Sequence, residues 1–371
     1  MKKFFLTAAF SLFAAFVISC GNNKSVGVIS KGDSAKFDTL SYVLGMDITY
    51  GLQRDLGRLK LDYNLVKNAI ETASLSGDVV KSGGKDISSE TYTDILNDFF
   101  MTKYRERMQT LSTIEAAKND TTGTVPQINP DTLDFDVTTM FASNDECSAV
   151  SSALGYDLGL KLSKNLFPIQ LVWLFEAVDD VLKEECKLTN EQAGNYMRHY
   201  FTVTLPAENK KASEEWIAEI EKQSGVKKTA SGLLYRIVEE GDVATKPTAA
   251  DEVKVHYKGM LRSGKVFDAS RFADMPAERQ EMLKMYRPDN YMDDEPVGFP
   301  LGNVIKGWTE GMQLVGKGGK IELWIPGELA YGVNGAPRAG IGPNEALFFV
   351  VDLLEVVKAA PEPAAPETPA K

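Results

Sequence analysis

The sequence predicts an α+β protein: an all-α amino-terminal part built from two copies of a three-helix module, followed by a sheet that carries a short helix. Three observations predict it. Val253–Tyr257 (VKVHY), Lys320–Ile325 (KIELWI) and Leu347–Leu353 (LFFVVDL) are rich in β-branched and aromatic residues and partly alternate, as half-buried strands do. Ile305, Trp308 and Met312 recur at i, i+3 and i+7, which is one face of a short helix laid on that sheet. Finally, Ser41–Asp47 (SYVLGMD) recurs as Ser151–Asp157 (SSALGYD), and each copy is followed by further matching blocks.

At the amino terminus Lys2 and Lys3 precede an apolar run from Phe4 to Ile18. Val17-Ile18-Ser19-Cys20 resembles a bacterial lipobox, so residues 1–19 are expected to be a lipoprotein signal peptide and Cys20 the lipidated residue. The run is too short and ends too abruptly for a membrane-spanning helix. Residues 20–36 are mostly polar and rich in Gly, Ser and Lys, the composition of a flexible tether.

Module copy 1 is assigned to residues 37–118 and copy 2, with a connecting helix, to 143–224. Leu52 aligns with Leu162, Ala69-Ile70-Glu71 with Ala177-Val178-Asp179, and Phe99-Phe100 with Tyr200-Phe201. Each copy reads as helix, turn, helix, loop, helix. Ser88 or Ser89 and Thr189 or Asn190 are suitable N-caps for the third helix of each. The connecting helix is expected over Glu208–Gln223, ended by Ser224-Gly225-Val226. Residues 119–142 read as a linker, because Asn119–Asp136 is rich in Thr, Gly and Pro. A carboxy-terminal domain occupies 225–358. The Pro/Ala-rich tail 359–371 has nothing with which to form a core and is expected to be disordered.

A net charge of −11 without a basic stripe argues against nucleic acid. His199 and His256 are the two histidines; neither sits in a metal-ligand spacing, and both read as structural. No metal or cofactor is expected. Cys147 is read as preceding the first helix of copy 2 and Cys186 as following its second. Antiparallel packing of those two helices would bring their ends together, so a Cys147–Cys186 disulfide is expected in an exported chain.

From about Ser231 to Lys358 the motifs VHYKG, GKVFDAS, GFPLGNVIKGW, LAYG and ALFFVV follow one another in an order that resembles the catalytic domain of FKBP-type peptidyl-prolyl cis-trans isomerases. The resemblance implies an antiparallel sheet wrapped around the short helix. It also implies an aromatic pocket floored by Trp308 and walled by Tyr257, Phe267 and Phe349. Tyr331 and Asp268 would supply polar contacts and Ile305 a backbone N–H, while Phe299, Val304 and Ile341 would bind substrate. Proline-containing polypeptides, and macrolides, would be the ligands. Two departures stand out. Arg271–Glu295 is much longer than the family's usual link, with a helix expected over Ala277–Tyr286, between Pro276 and Pro288; the segment either lids one side of the pocket, with Met282, Leu283 and Met285 available for contact, or is a solvated excursion remote from it. Val297 stands where a pocket-rim Phe is common.

The amino-terminal pattern resembles the dimerisation domain that precedes the catalytic domain in envelope isomerases of the macrophage-infectivity-potentiator type. In that family one module per chain pairs with its twin across a two-fold axis. Two modules in one chain imply a monomer containing an internal pseudo-dimer, with a homodimer as the alternative. The resemblance implies a lipid-anchored isomerase of the bacterial cell envelope, on the outer membrane facing the periplasm, acting on unfolded or nascent proline-containing envelope proteins. A holdase-type chaperone or proline-binding module with little isomerase activity is the alternative.

Overall fold

The computed structural model describes residues 29–163, 167–292 and 294–359. The expected signal peptide, Cys20 and the tail beyond Ala359 lie outside the described residues. Among the described residues no helix is long and apolar enough to cross a membrane. They form two compact units, 29–198 and 199–359.

In the amino-terminal unit, copy 1 supplies α1 (Thr39–Leu56), α2 (Tyr63–Leu75), α3 (Tyr92–Asp98) and α4 (Tyr104–Asn119), with a π-helical turn Phe99–Lys103 between the last two. Copy 2 supplies α5 (Asn144–Leu162), α6 (Leu171–Lys183) and α7 (Asn190–His199). Asp38, Asp62 and Ser143 cap α1, α2 and α5 through side-chain oxygens that accept backbone N–H groups. Thr189 and Gln192 cap α7 reciprocally: Gln192 N donates to Thr189 Oγ1 at 3.2 Å and Thr189 N to Gln192 Oε1 at 2.9 Å. In copy 1 the third helix starts later, at Tyr92, behind a hairpin of β2 (Val80–Ser82) and β3 (Lys85–Ile87) that copy 2 lacks.

The two copies pair crosswise. α1 packs on α6, and α5 packs on α2, so the first helix of each copy meets the second helix of the other. The repeated Leu-Gly motif makes this approach close. A Cβ on Gly45 would lie 2.2 Å from the carbonyl oxygen of Leu174, and one on Gly155 would lie 2.2 Å from that of Val66. Val66 and Leu174 occupy matching positions three residues before Ala69 and Ala177, so the two contacts are related by a pseudo-two-fold.

This crossing removes the expected disulfide. Cys147 and Cys186 are both free. The first helix of copy 2 pairs with α2, not with α6, so Cys147 sits 3.4 Å from the Lys60 carbonyl and Cys186 3.6 Å from the Tyr50 hydroxyl. The segments read as a tether and a linker are each packed where they meet the helices. β1 (Ile29–Ser30) pairs in parallel with β4 (Ile169–Gln170), and Trp173 Nε1 donates to the carbonyls of Asp33 and Lys36. In the linker, Phe135, Met140 and Phe141 are buried, with Arg107 lying over the Phe135 ring and donating to Met140 O.

The second unit opens with a π-helical segment, Tyr200–Thr204, and α8 (Leu205–Glu221), which begins and ends slightly before the expected helix. The π segment matches Phe99–Lys103 of copy 1, and both pairs of leading rings are T-shaped, with centroids 5.1 and 5.3 Å apart. Although α8 read as the end of the helical part, it packs here. Trp216, Ile217 and Ile220 form a cluster with Leu234, Trp324 and Phe348, and Ser213 Oγ donates to Asn344 O.

The sheet runs β5 (Lys227–Lys228), β6 (Leu234–Glu239), β10 (Lys320–Ile325), β11 (Leu347–Val357), β7 (Glu252–Leu261) and β8 (Val266–Ala269). β9 (Val297–Pro300) also pairs with β7, and every pairing is antiparallel. One face carries α8. The other wraps α10 (Lys306–Met312), whose Trp308 and Met312 enter a core with Val253, Val255, Leu323, Val351 and Leu353. α9 (Ala277–Tyr286) occupies the inserted segment, with the bounds expected between Pro276 and Pro288.

Candidate active site

The pocket is assembled at the ends of four strands and one helix. β7 brings Tyr257, β8 Phe267 and Asp268, β9 Phe299, β11 Phe349, and α10 Trp308. Ring centroids of Trp308 lie 5.5 Å from Tyr257, 5.4 Å from Phe299 and 5.3 Å from Phe349, each steeply inclined. Phe267 meets Phe349 edge-on at 5.6 Å. Gly259, opposite both Phe349 and Asp268 in the ladders, makes room for that pair; a Cβ there would lie 2.7 Å from each ring. Such edge-to-face rings present apolar faces to whatever fills the space between them.

Trp308 is buried, and its Nε1 has no hydrogen-bond partner among the described residues. Ile305 caps α10 with its carbonyl, which accepts from Trp308 N and Thr309 N, while no acceptor faces the Ile305 N–H among the described residues. Val304 and Phe299 are half-buried beside it.

The polar edge is a short chain of contacts. Tyr257 donates its hydroxyl to Asp268 Oδ2 at 2.5 Å, and Arg279 Nη1 donates to Asp268 Oδ1 at 2.6 Å. Burial, then the hydrogen bond to Asp268 and its charge, push the Tyr257 phenol far above the ordinary range. Tyr331 is exposed to 42% and is raised by burial and by the same carboxylate. The phenol of Tyr257 therefore stays a proton donor, and both Asp268 oxygens are held as acceptors.

The structure thus brings together Tyr257, Phe267, Asp268, Phe299, Val304, Ile305, Trp308, Tyr331 and Phe349. Ile341 is different. Expected as an apolar contact on an overhanging tip, it is 1% exposed within the core cluster and bridged to Ala336. His256 alternates with Tyr257 and bonds through Nδ1 to Ser270 Oγ at 3.1 Å, a structural role. Of the insertion residues proposed as contacts, Met282 and Met285 are largely exposed. Leu283 instead lines a cavity of about 210 Å³ with Phe272, Met275, Arg279 and Tyr291.

Sequence reasoning missed Arg279. Its only signal was an arginine early in a helix already expected beside Asp268, and choosing it over Arg271 or Arg287 required the direction of α9.

An aromatic cage with a fixed carboxylate and a free backbone N–H at its edge, and no nucleophile among the described residues at its centre, defines a class of site that binds an apolar ring without covalent chemistry. Two family models match the chain: FKBP-type peptidyl-prolyl cis-trans isomerase over residues 243–354, and the domain amino terminal to it over 148–237. FkpA of Escherichia coli K12, an FKBP-type isomerase, is 35% identical over 224 residues, covering 58% of this chain and 72% of its own. The FKBP-type 22 kDa isomerase of the same organism is 34% identical, covering 56% of this chain and 94% of its own. Mip of Coxiella burnetii is 38% identical, covering 40% and 56% respectively. The chain belongs to the FKBP-type peptidyl-prolyl cis-trans isomerase family and is an isomerase of that type.

Proposed function

We propose that this isomerase is anchored in the bacterial envelope by lipid on Cys20 and accelerates X–Pro isomerisation in proteins folding there. The observation that carries the mechanism is the Trp308-floored cage with Tyr257 tied to Asp268 at its edge. The X–Pro barrier of about 18–20 kcal/mol comes from amide resonance, which the twisted transition state lacks. An apolar cage holds the proline ring on Trp308 and disfavours the charge-separated planar amide. The Ile305 N–H is available to a substrate carbonyl. Binding the twisted form better than either planar form lowers the barrier; a reduction of ~7 kcal/mol corresponds to about 10⁵-fold. Macrolides with a proline-like ring would occupy the same cage, with access narrowed on the α9 side.

The chain works as a monomer in this reading. The pairing of α1 with α6 and of α2 with α5 supports it, because the apolar faces that a twin would cover are covered from within the chain. A tether between the copies keeps their effective concentration near the millimolar range, which outcompetes a second chain at micromolar concentration. Light scattering on the unlipidated chain from Gly21 onward should give the mass of one chain; twice that mass at micromolar concentration rejects the pseudo-dimer.

The holdase alternative has one observation of its own. Met282, Met285, Tyr286 and Met292 of the insertion are exposed large apolar side chains, the composition of an adaptable binding surface. A proline-limited refolding assay separates the readings. Acceleration of refolding supports the isomerase, whereas suppression of aggregation with no acceleration supports the holdase.

A further inference from the structure

We propose that Arg279, carried to the pocket by the inserted helix α9, is a specificity-determining residue that turns the site against basic residues next to the substrate proline. The inference rests on the isomerase reading above and deepens it. Both oxygens of Asp268 are engaged: Oδ2 accepts from Tyr257 at 2.5 Å, and Oδ1 from Arg279 at 2.6 Å and from Ala269 N at 3.1 Å. Without Arg279 the rim beside Tyr257 and Tyr331 would present a carboxylate with an open oxygen, which attracts Lys or Arg. With Arg279 in place that oxygen is filled. The guanidinium, half exposed and with N–H groups beyond the one it gives to Asp268, then becomes the outward charge.

The placement of Arg279 is not that of a wandering surface side chain. Gln280 Nε2 donates to the carbonyls of Phe272 and Met275, both at 3.0 Å, and Phe272 N donates to Asp294 Oδ1 at 2.7 Å. Phe272 and Tyr291 meet edge-on at 5.1 Å, and Lys284 is paired with Glu281. These contacts fold the insertion on itself around the first turns of α9, from which Arg279 reaches Asp268. Consecutive residues lie about 3.8 Å apart along a chain, so the neighbour of a proline seated on Trp308 extends its side chain to this rim. A cation there meets Arg279; an anion gains a partner.

The test uses the unlipidated chain from Gly21 onward and three proline peptides that differ only in the residue before proline: Lys, its neutral isostere norleucine, or Glu. A second set varies the residue after proline. In one of the sets wild type should handle the Glu peptide about fivefold better than the neutral norleucine peptide, and that peptide about fivefold better than the Lys peptide, the scale of one unit charge at contact distance in water. The difference should lie in KM and shrink in 1 M salt, where the Debye length is about 3 Å. Arg279→Ala should abolish or reverse the order, and Arg279→Lys should restore it. Competition binding of the same peptides reads the same order as affinities, so a chain that binds but does not turn over would sink the isomerase reading and leave this one standing. Equal handling of Lys and Glu peptides by wild type overturns the proposal. So does an Arg279→Ala variant that slows all three peptides alike, which is what a merely structural tie would do.

Discussion

Gly155 of α5 lies against the backbone of Val66 of α2 so closely that a methyl group would fall 2.2 Å from the Val66 carbonyl oxygen. Gly45 repeats the relationship against Leu174. The Leu-Gly motif that marks the duplication is therefore the contact through which the duplicates join, and its requirement is for the absence of a side chain.

Gly155→Ala and Gly45→Ala should each destabilise the amino-terminal unit by about 1–3 kcal/mol, since the obstructing atom is backbone. The gain in helix propensity, about 1 kcal/mol, does not offset that. Gly51→Ala, in the same helix as Gly45 with nothing within 4 Å, is the control and should be neutral or mildly stabilising. Urea midpoints for the three variants decide the matter. If Gly155→Ala unfolds no earlier than Gly51→Ala, the crosswise pairing is wrong.

Tyr257→Phe and Asp268→Ala should each reduce kcat/KM about tenfold or more with little change in melting temperature, because a hydrogen bond to a charged group contributes about 1.5–3 kcal/mol. Phe267→Ala should act in the same direction. Trp308→Ala should lower activity and also cost about 3–5 kcal/mol of stability, since the ring belongs to both pocket and core. Unchanged kinetics in Asp268→Ala would remove that residue from the site.

Cys147 and Cys186 should titrate as two free thiols in non-reduced protein purified from Gly21 onward, and reductant should leave the melting temperature where it was. Cys147 should react slowly near neutral pH, since burial pushes its thiol up. Recovery of a peptide linked through both cysteines would contradict the helix pairing described above.

Burial, and then the Arg271 guanidinium, push the His256 imidazole below its ordinary value. An imidazole that takes a proton less readily when folded than when unfolded stabilises the fold fully above the unfolded value of about 6.5. That contribution is lost as pH falls through the folded value. The catalytic unit should therefore lose stability more steeply than a His256→Gln variant on acidification from about pH 7 to 5. Parallel melting curves of the two proteins over that range would refute the assignment.

Much of the site was legible because its residues are bound to local patterns. Tyr257, Phe267, Trp308 and Phe349 sit in motifs whose resemblance to the FKBP family implies a shared pocket, and Pro276 and Pro288 bracket α9. Ile341 could not be placed from the sequence: a Gly-rich tip gives no periodicity from which to tell an overhanging side chain from one packed beside Trp308 and Phe349.

By itself the sequence determined the main helices and strands, since those depend on spacing within a few residues; the duplication showed as repeated local blocks, and the aromatic set followed from the family resemblance of its motifs. Tertiary structure alone decided which copies' helices pair, where the two cysteines fall, that α8 packs on the catalytic sheet, and that Arg279 reaches Asp268. Those outcomes depend on the direction in which distant segments meet. A helical pattern specifies which face is apolar but not which of several apolar faces will cover it.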